Sequence, residues 1–533
     1  MEAAGVPGER GREGGIGEND AAEAAGPDER GCPSHPLPAY GSDFLQLDAD
    51  AVPVGGKTEW LARLLRRAIA DGRLGLGSRL PPTRLLAAEL GVSRGVVTEA
   101  YRLLTEDGHI AGHRRGGTVV VAAPPAPTST QPSRPSGAHP SPAKGGPPTP
   151  PSLFDGEPGP DVYDVLRTSP AAIDLTPGRP DLTAFPRTAW LRAERAVLAE
   201  LSAEHLGYGD PRGAPPLRHA VADWLAHSRG FRVEPEEVLI VAGTAQALSL
   251  LSPVLRAEGV DAVAVEDPGS LGTRQHLLHG GLATPPVPVD QEGIRVEALR
   301  STGAPAVLLT PAHQYPTGVV TSGGRRRELL RWAAEDGGLI LEDDYDAEHR
   351  YDRPPVSALR ALLTYRVCYM GSVSKLLAPA LRTGWMVPPP RYRERLIEAK
   401  RFTDLGNAAL PQLVLARLME SGGLERHLRM LRRRHRSRRD AMIGALAERL
   451  PGAVVHGAAA GLHLTVTYEA EVPDRALAAA ALARGVKCHP LSWYRQLPGR
   501  PGLVLGYAAV PPGVAAEGVA VLGEALRALG TTS

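Results

Sequence analysis

Large apolar residues recur along this chain with two different periods, and the stretches that lack them mark its divisions. From Trp60 to Ile69 they return at helical spacing, with Leu61, Leu64, Leu65, Ala68 and Ile69 on one face. Gly72, Gly75 and Gly77 break that pattern. A second helix is expected from about Thr83 to Leu90, followed by a tight corner at Gly91-Val92. Ser93 starts a third by offering its hydroxyl to free backbone N–H groups. In it Val97, Tyr101 and Leu104 face inward at i, i+4 and i+7. Asp107-Gly108 ends this helix, and His113 to Val121 reads as a turn and strand with Gly116-Gly117 at the tip. Two helices around a short corner, followed by a Gly-tipped hairpin, are the layout of a winged helix-turn-helix.

Beyond Ile173 the period changes. The runs "VLIVAGTAQAL", "DAVAVEDPG", "PAVLLTPAHQYPTG", "LILEDDYD" and "CYMGSVSK" are continuously apolar and end abruptly in polar residues or glycine. Such runs suit strands buried on both faces of a parallel sheet, alternating with helices as β-α-β units do. Ligands of these sheets bind at the carboxyl ends of the strands. Between the two patterned regions, residues 122–160 hold thirteen prolines among Ser, Thr, Gly and Ala, the composition of a semi-extended linker. The chain therefore divides into a tail over residues 1–45 that buries too little to fold, a small domain over 46–121, a linker over 122–168 and a large α/β domain over 169–533.

Composition alters this picture in one place. Lys and Arg number 60 against 59 Asp and Glu in the whole chain, a net charge of +1. From Gly55 to Val121, however, eleven Lys/Arg face six Asp/Glu, a surplus that attracts a polyanion. Arg84, Ser93 and Arg94 lie at the starts of the second and third helices, where they can meet phosphates. Thr98, Tyr101, the wing arginines Arg114 and Arg115, and Gly117 complete the candidate contacts to double-stranded DNA. A basic helical adaptor for another protein is the bland alternative. Cys32, Cys368 and Cys488 are too far apart for a disulfide framework or a zinc site. No apolar run is long enough to span a bilayer, so the expected location is the cytoplasm, and no metal site is expected.

The strand ends of the large domain collect an acid, a tyrosine, a lysine preceded by two serines in Ser-x-Ser-Lys, an arginine and a glycine-threonine pair at a helix start. Pyridoxal 5'-phosphate (PLP) asks for that set. Lys375 would form a Schiff base with its aldehyde, Asp343 would hold its pyridinium nitrogen, and Tyr345 would bond its phenolic oxygen. Its phosphate would sit at the helix start of Thr244 and Ala245, with Ser372 and Arg382 reaching in.

The segment "RLPPTRLLAAELGVSRGVVTEAYRLLTEDGHIAGHRRGGTVVV" resembles the GntR-type winged helix over nearly its whole length. From about Asp174 onward, "YGDPRGAPPLR", "GTAQAL", "EDPGS", "PAHQYPTG", "EDDYD" and "GSVSKLLAPALRTGW" resemble a fold-type I aminotransferase in order and spacing. The two joined by a linker resemble the MocR/GabR-type transcription regulators. That resemblance implies PLP binding and a head-to-tail homodimer, with Tyr208 at the position that reaches the neighbouring subunit's phosphate.

Several positions depart from the working aminotransferases. Tyr315 stands where an Asn bonds the phenolic oxygen, and the acid and tyrosine are spaced Asp343-x-Tyr345. Val504 replaces the arginine that holds a substrate carboxylate, a bidentate fork no valine can imitate. Ser270 stands where an aromatic stacks on the pyridine ring. The resulting expectation is a regulator that senses PLP, or an amine or amino acid reacting with its aldehyde, in control of vitamin B6 metabolism. The alternative is an active aminotransferase with an accessory DNA-binding domain, with Val504 and Tyr315 separating the two. A third reading, an aminotransferase-like domain without cofactor, is opposed by Lys375, Asp343, Tyr345 and Arg382.

Overall fold

The computed structural model describes residues 56–70, 74, 77–106, 109–113, 117–121, 153–351, 356–469 and 471–531. The tail, residues 122–152 of the expected linker, Cys32, Arg114 and Arg115 lie outside them. The chain forms two compact units, divided between Lys144 and Gly145.

In the first unit, α1 (Lys57–Ala70) is longer than its apolar stripe suggested, and α2 (Thr83–Glu89) and α3 (Arg94–Glu106) flank the expected corner. Gly91 takes φ +60 there, a left-handed turn that costs glycine little. Leu61, Leu65 and Ala68 of α1 are fully buried against Leu86 of α2 and Val97, Ala100 and Leu104 of α3. The hairpin β1 (Ile110–His113) and β2 (Gly117–Val120) is antiparallel, and its first strand starts earlier than the sequence suggested. Ile110 and Val120 close the core under it.

The second unit is built on an eight-stranded sheet. In spatial order the strands are Leu239–Val241, Gly384–Val387, Val367–Ser372, Leu339–Asp344, Ala306–Leu309, Val263–Asp267, Pro286–Asp290 and Gly293–Ile294. The five apolar runs singled out in the sequence are all strands of this sheet. Gly384–Val387, which no such run announced, lies antiparallel between two of them. Alternate side chains serve opposite layers. Leu239, Val241, Leu339 and Leu341 pack under helices Thr244–Ala257 and Pro390–Asp404, whereas Ile240 and Ile340 belong to cores on the other face. A second sheet, Val454–His456, His463–Thr467, Gly502–Gly506 and His489–Pro490, packs with helix Pro512–Gly530 and the far end of helix Gly423–Arg449.

Residues 153–168, assigned to the linker on composition, are part of this unit. Phe154, Val162 and Leu166 are buried in its core, and Val162–Thr168 is helical. The prolines stop mattering once an apolar triplet can be buried. Among the described residues, no helix is long and apolar enough to cross a membrane.

Candidate functional sites

A cavity of about 350 Å³ opens where the strands Leu239–Val241, Leu339–Asp344 and Val367–Ser372 end. Its walls include Thr244, Ala245, Asp343, Tyr345, Ser372, Lys375 and Arg382, the predicted set apart from Tyr208. Tyr208 lies elsewhere on this chain, 94% exposed beside a groove that also contains Leu405.

The acidic run 342–346 shows how a strand sorts like residues. Asp343 faces the cavity and accepts a hydrogen bond from the Thr244 hydroxyl at 3.2 Å. Its neighbours face the other layer. Glu342 accepts the backbone N–H groups of Leu359 and Arg360 at 2.8 and 3.2 Å. Asp344 pairs with the buried guanidinium of Arg229, which also meets Glu348 at 2.6 Å, and accepts the Tyr369 hydroxyl at 2.6 Å. Arg229→Ala strands two buried carboxylates, and a loss of about 3–5 kcal/mol in denaturant-measured stability is expected. A loss under 1 kcal/mol would refute that account.

Burial pushes the Asp343 carboxyl up to about 7, with Asp344 and Asp346 adding to the shift and Lys375 opposing it. Burial also lowers the Lys375 amine, against the attraction of Asp346 and Asp343. The Lys375 Nζ donates to the carbonyl of Gly178. Gly178 has φ +78, and a Cβ there would stand 3.2 Å from that nitrogen, so glycine keeps the lysine's approach open. Tyr345 meets His313 Nδ1 at 2.9 Å, and the same nitrogen lies 2.9 Å from Asp346. Burial, then Asp346, hold the phenol far above its ordinary value, so it remains a donor.

At the rim, Gly243 (φ +82) caps the helix Thr244–Ala257. A Cβ on it would point toward Arg382 Nη1 and Ser374 Oγ, at 3.9 and 4.0 Å. The start of this helix, the Ser374 hydroxyl and the Arg382 guanidinium thus lie together at the cavity wall, a donor set that suits an anion. An aldehyde-reactive amine, a carboxyl facing a ring-sized space and this cradle fit PLP.

The departures noted in the sequence also have structural explanations. The Ser270 hydroxyl caps helix Leu271–His279, accepting from Thr273 N at 3.3 Å and Thr273 Oγ1 at 3.0 Å. Tyr315 donates to the Tyr494 hydroxyl at 3.1 Å and packs edge-on against Tyr345. Val504 is fully buried in the second sheet, paired with Thr465 and His489. Tyr163, Thr310, His489 and Tyr494 also line the cavity without any sequence pattern to distinguish them, and Ser374 joins them from the serine pair before Lys375. His313 and Asp346, within "PAHQYPTG" and "EDDYD", were accessible as polar residues flanking the chosen ones.

On the winged-helix unit Arg84, Arg94, Thr98 and Gly117 are exposed. The exposed Ser93 hydroxyl accepts from Val96 N at 3.4 Å, the expected helix cap. Thr98 donates to the Arg94 carbonyl at 2.9 Å. Tyr101 corrects the sequence reading of a DNA contact. It is 6% exposed and donates to the Pro81 carbonyl at 2.8 Å, because position 101 lies on the inner face of α3. Farther along α3, Arg102 is paired with Glu99 and Glu106.

Residues 57–120 match the model of the GntR family of bacterial regulatory proteins, and 171–500 match that of class I and II aminotransferases. The chain is similar to the probable rhizopine catabolism regulatory protein MocR of Rhizobium meliloti. The two are 32% identical over 490 residues, 91% of this chain and 96% of that one. It is also similar to the HTH-type pyridoxine biosynthesis transcriptional regulator PdxR of Corynebacterium glutamicum, 31% identical over 450 residues, 84% and 91% of the two chains. Among solved structures, kynurenine aminotransferase of Pyrococcus horikoshii superposes with a TM-score of 0.64 at 29% identity, covering 69% of this chain and 93% of that one.

Proposed function

Because the chain belongs to the MocR-type regulators, which join a GntR helix-turn-helix to a class I and II aminotransferase domain, we propose that it is a DNA-binding transcription regulator whose aminotransferase-like domain holds PLP as a sensor. The observation that carries this reading is the charge of the cavity. Among the described lining residues the cationic side chains are Lys375 and Arg382. One is needed for the aldehyde and the other for the phosphate, which leaves no fork for a substrate carboxylate. Val504 supplies none. This favours a sensor over a working aminotransferase.

When bound, the cofactor supplies an electrophilic carbon and an electron-withdrawing ring. Lys375, its amine lowered by burial, is the group that joins the aldehyde. Asp343 holds the proton on the ring nitrogen, and Tyr345 offers its hydroxyl to the phenolic oxygen. Thr244, Ala245, Ser372 and Arg382 hold the phosphate. The effector is PLP itself, or an amine or amino acid that reacts with its aldehyde. Similarity to a regulator named for pyridoxine biosynthesis supports vitamin B6 metabolism as the controlled process. The exposed apolar residues Leu206, Tyr208, Phe402 and Leu405 support a homodimer in which Tyr208 reaches the other subunit's phosphate.

Footprinting of the full chain on its own upstream region, with and without PLP, tests the proposal. PLP should alter the protected region. Lys375→Ala should abolish both that change and the visible absorbance of lysine-bound cofactor, while protection itself persists. A footprint indifferent to PLP would refute sensing, and steady transamination of common amino acids would favour the enzyme.

A further inference from the structure

A flat ring lodged between Asp343 and Lys375 needs one of its faces covered. The wall at Ser270 and Gly272 offers little cover. One residue has no side chain, and the other's hydroxyl is engaged as a helix cap. The space against that wall is taken by a residue distant in sequence. A Cβ built on Gly272 would stand 3.5 Å from Cε2 of Tyr163, which also lines the cavity.

Tyr163 is held there from several sides. Its ring packs on His489 at 5.4 Å between centroids, and edge-on to Trp493 at 6.5 Å. Its segment is tied down as a strap. Phe154 stacks on Trp493 at 5.4 Å, Gln275 donates to the Gly159 carbonyl at 2.9 Å, and Lys487 donates to the Arg167 carbonyl at 2.9 Å. These contacts tie the strap to the helix after Ser270, to the strand Val486–Lys487 and to the turn that carries Trp493.

We infer that Tyr163 is the aromatic cover of the cofactor ring, and that the strap 153–168 which carries it tightens when PLP binds. The inference rests on the PLP reading above and adds a ring-binding residue to it. In chain order the strap is also the first described stretch after the proline-rich segment. A change in how firmly it is held is therefore a change at the point where the large unit leads back to the winged helix.

Titration of the cofactor-free full chain with PLP, followed by absorbance and induced circular dichroism, tests the cover. Tyr163→Phe keeps the ring and should bind within about twofold of the unsubstituted chain. Tyr163→Leu keeps apolar bulk but removes the π face, and should weaken binding about five- to tenfold with a smaller induced dichroic band. Hydrogen exchange should show residues 159–168 better protected once PLP is added. Wild-type affinity and dichroism in Tyr163→Leu would overturn the cover, and unchanged protection in the wild type would overturn the tightening. If the unsubstituted chain takes up no PLP at all, the cofactor reading fails as well, which separates the two failures.

Discussion

Asp343→Asn should yield a cofactor-free protein that melts higher than the wild type at pH 8 yet binds PLP about 100-fold more weakly. Burial in the cavity pushes this carboxyl up to about 7, against about 3.9 in an unfolded chain. Between those values the folded state holds a proton that the unfolded state has released, so stability falls as pH rises through the window. At pH 8 the folded protein carries a desolvated carboxylate whose described hydrogen-bond donor is Thr244. Asparagine removes that charge and can still accept from Thr244. The gain is at most about 4 kcal/mol and should vanish near pH 4. Glu342, also pushed up to about 7 by burial, gives the same trend in both proteins and cancels from the difference, whereas Glu266, raised mainly by burial and in part by the Asp343 charge, is relieved in the variant and adds to the gain at pH 8. The loss of PLP affinity follows because a neutral amide cannot hold a protonated ring nitrogen by charge, and a hydrogen bond to a charged group is worth about 1.5–3 kcal/mol. Melting curves at pH 5 and 8, with a PLP titration, measure both effects. A variant that melts lower at pH 8, or binds PLP normally, would show that Asp343 is not stressed in favour of a cation.

The contrast between Asp343 and Asp344 marks where sequence ceased to be informative. Their run was recognisable as the end of a buried strand because five continuous apolar stretches each broke off in polar residues. Which aspartate faces the cavity depends on the sheet's two-residue alternation and on what covers each face, and Arg229 lies more than a hundred residues away in the chain. Gly384–Val387 was missed for a related reason: once both faces are buried, an antiparallel strand has the same composition as a parallel one. Tyr163 was hidden by its proline-rich surroundings, since composition averages over a window while burial of Phe154, Val162 and Leu166 is decided residue by residue. In the winged helix the caps, corner and inner stripe were local and legible. Tyr101 satisfied both the inner stripe and the list of polar candidates, and packing resolved the ambiguity toward the core. Lys375 shares one cavity with the other candidate residues because several strand ends meet there, as the carboxyl edge of a parallel sheet arranges.

Replacing Arg84 and Arg94 together by alanine should cost DNA affinity about tenfold per arginine at 0.1 M salt, hence about a hundredfold for each winged helix. Both are exposed, and among the described residues neither sits in a pair comparable to Arg102 between Glu99 and Glu106. A guanidinium facing phosphate releases a condensed counterion, and each lost contact lowers the slope of log K against log salt by about 0.9. The slope should therefore flatten by nearly two units per winged helix. The loss should be similar for operator and unrelated DNA, because phosphate contacts position the protein without reading sequence. Tyr101→Phe is the control. It removes the bond to the Pro81 carbonyl and should destabilise the small unit by about 1 kcal/mol while leaving the salt slope intact. If the double variant loses affinity with an unchanged slope, its arginines shape the fold of the motif rather than touch the backbone of DNA. If Tyr101→Phe flattens the slope, the buried ring reaches the nucleic acid after all, and the inner face of α3 has been misassigned.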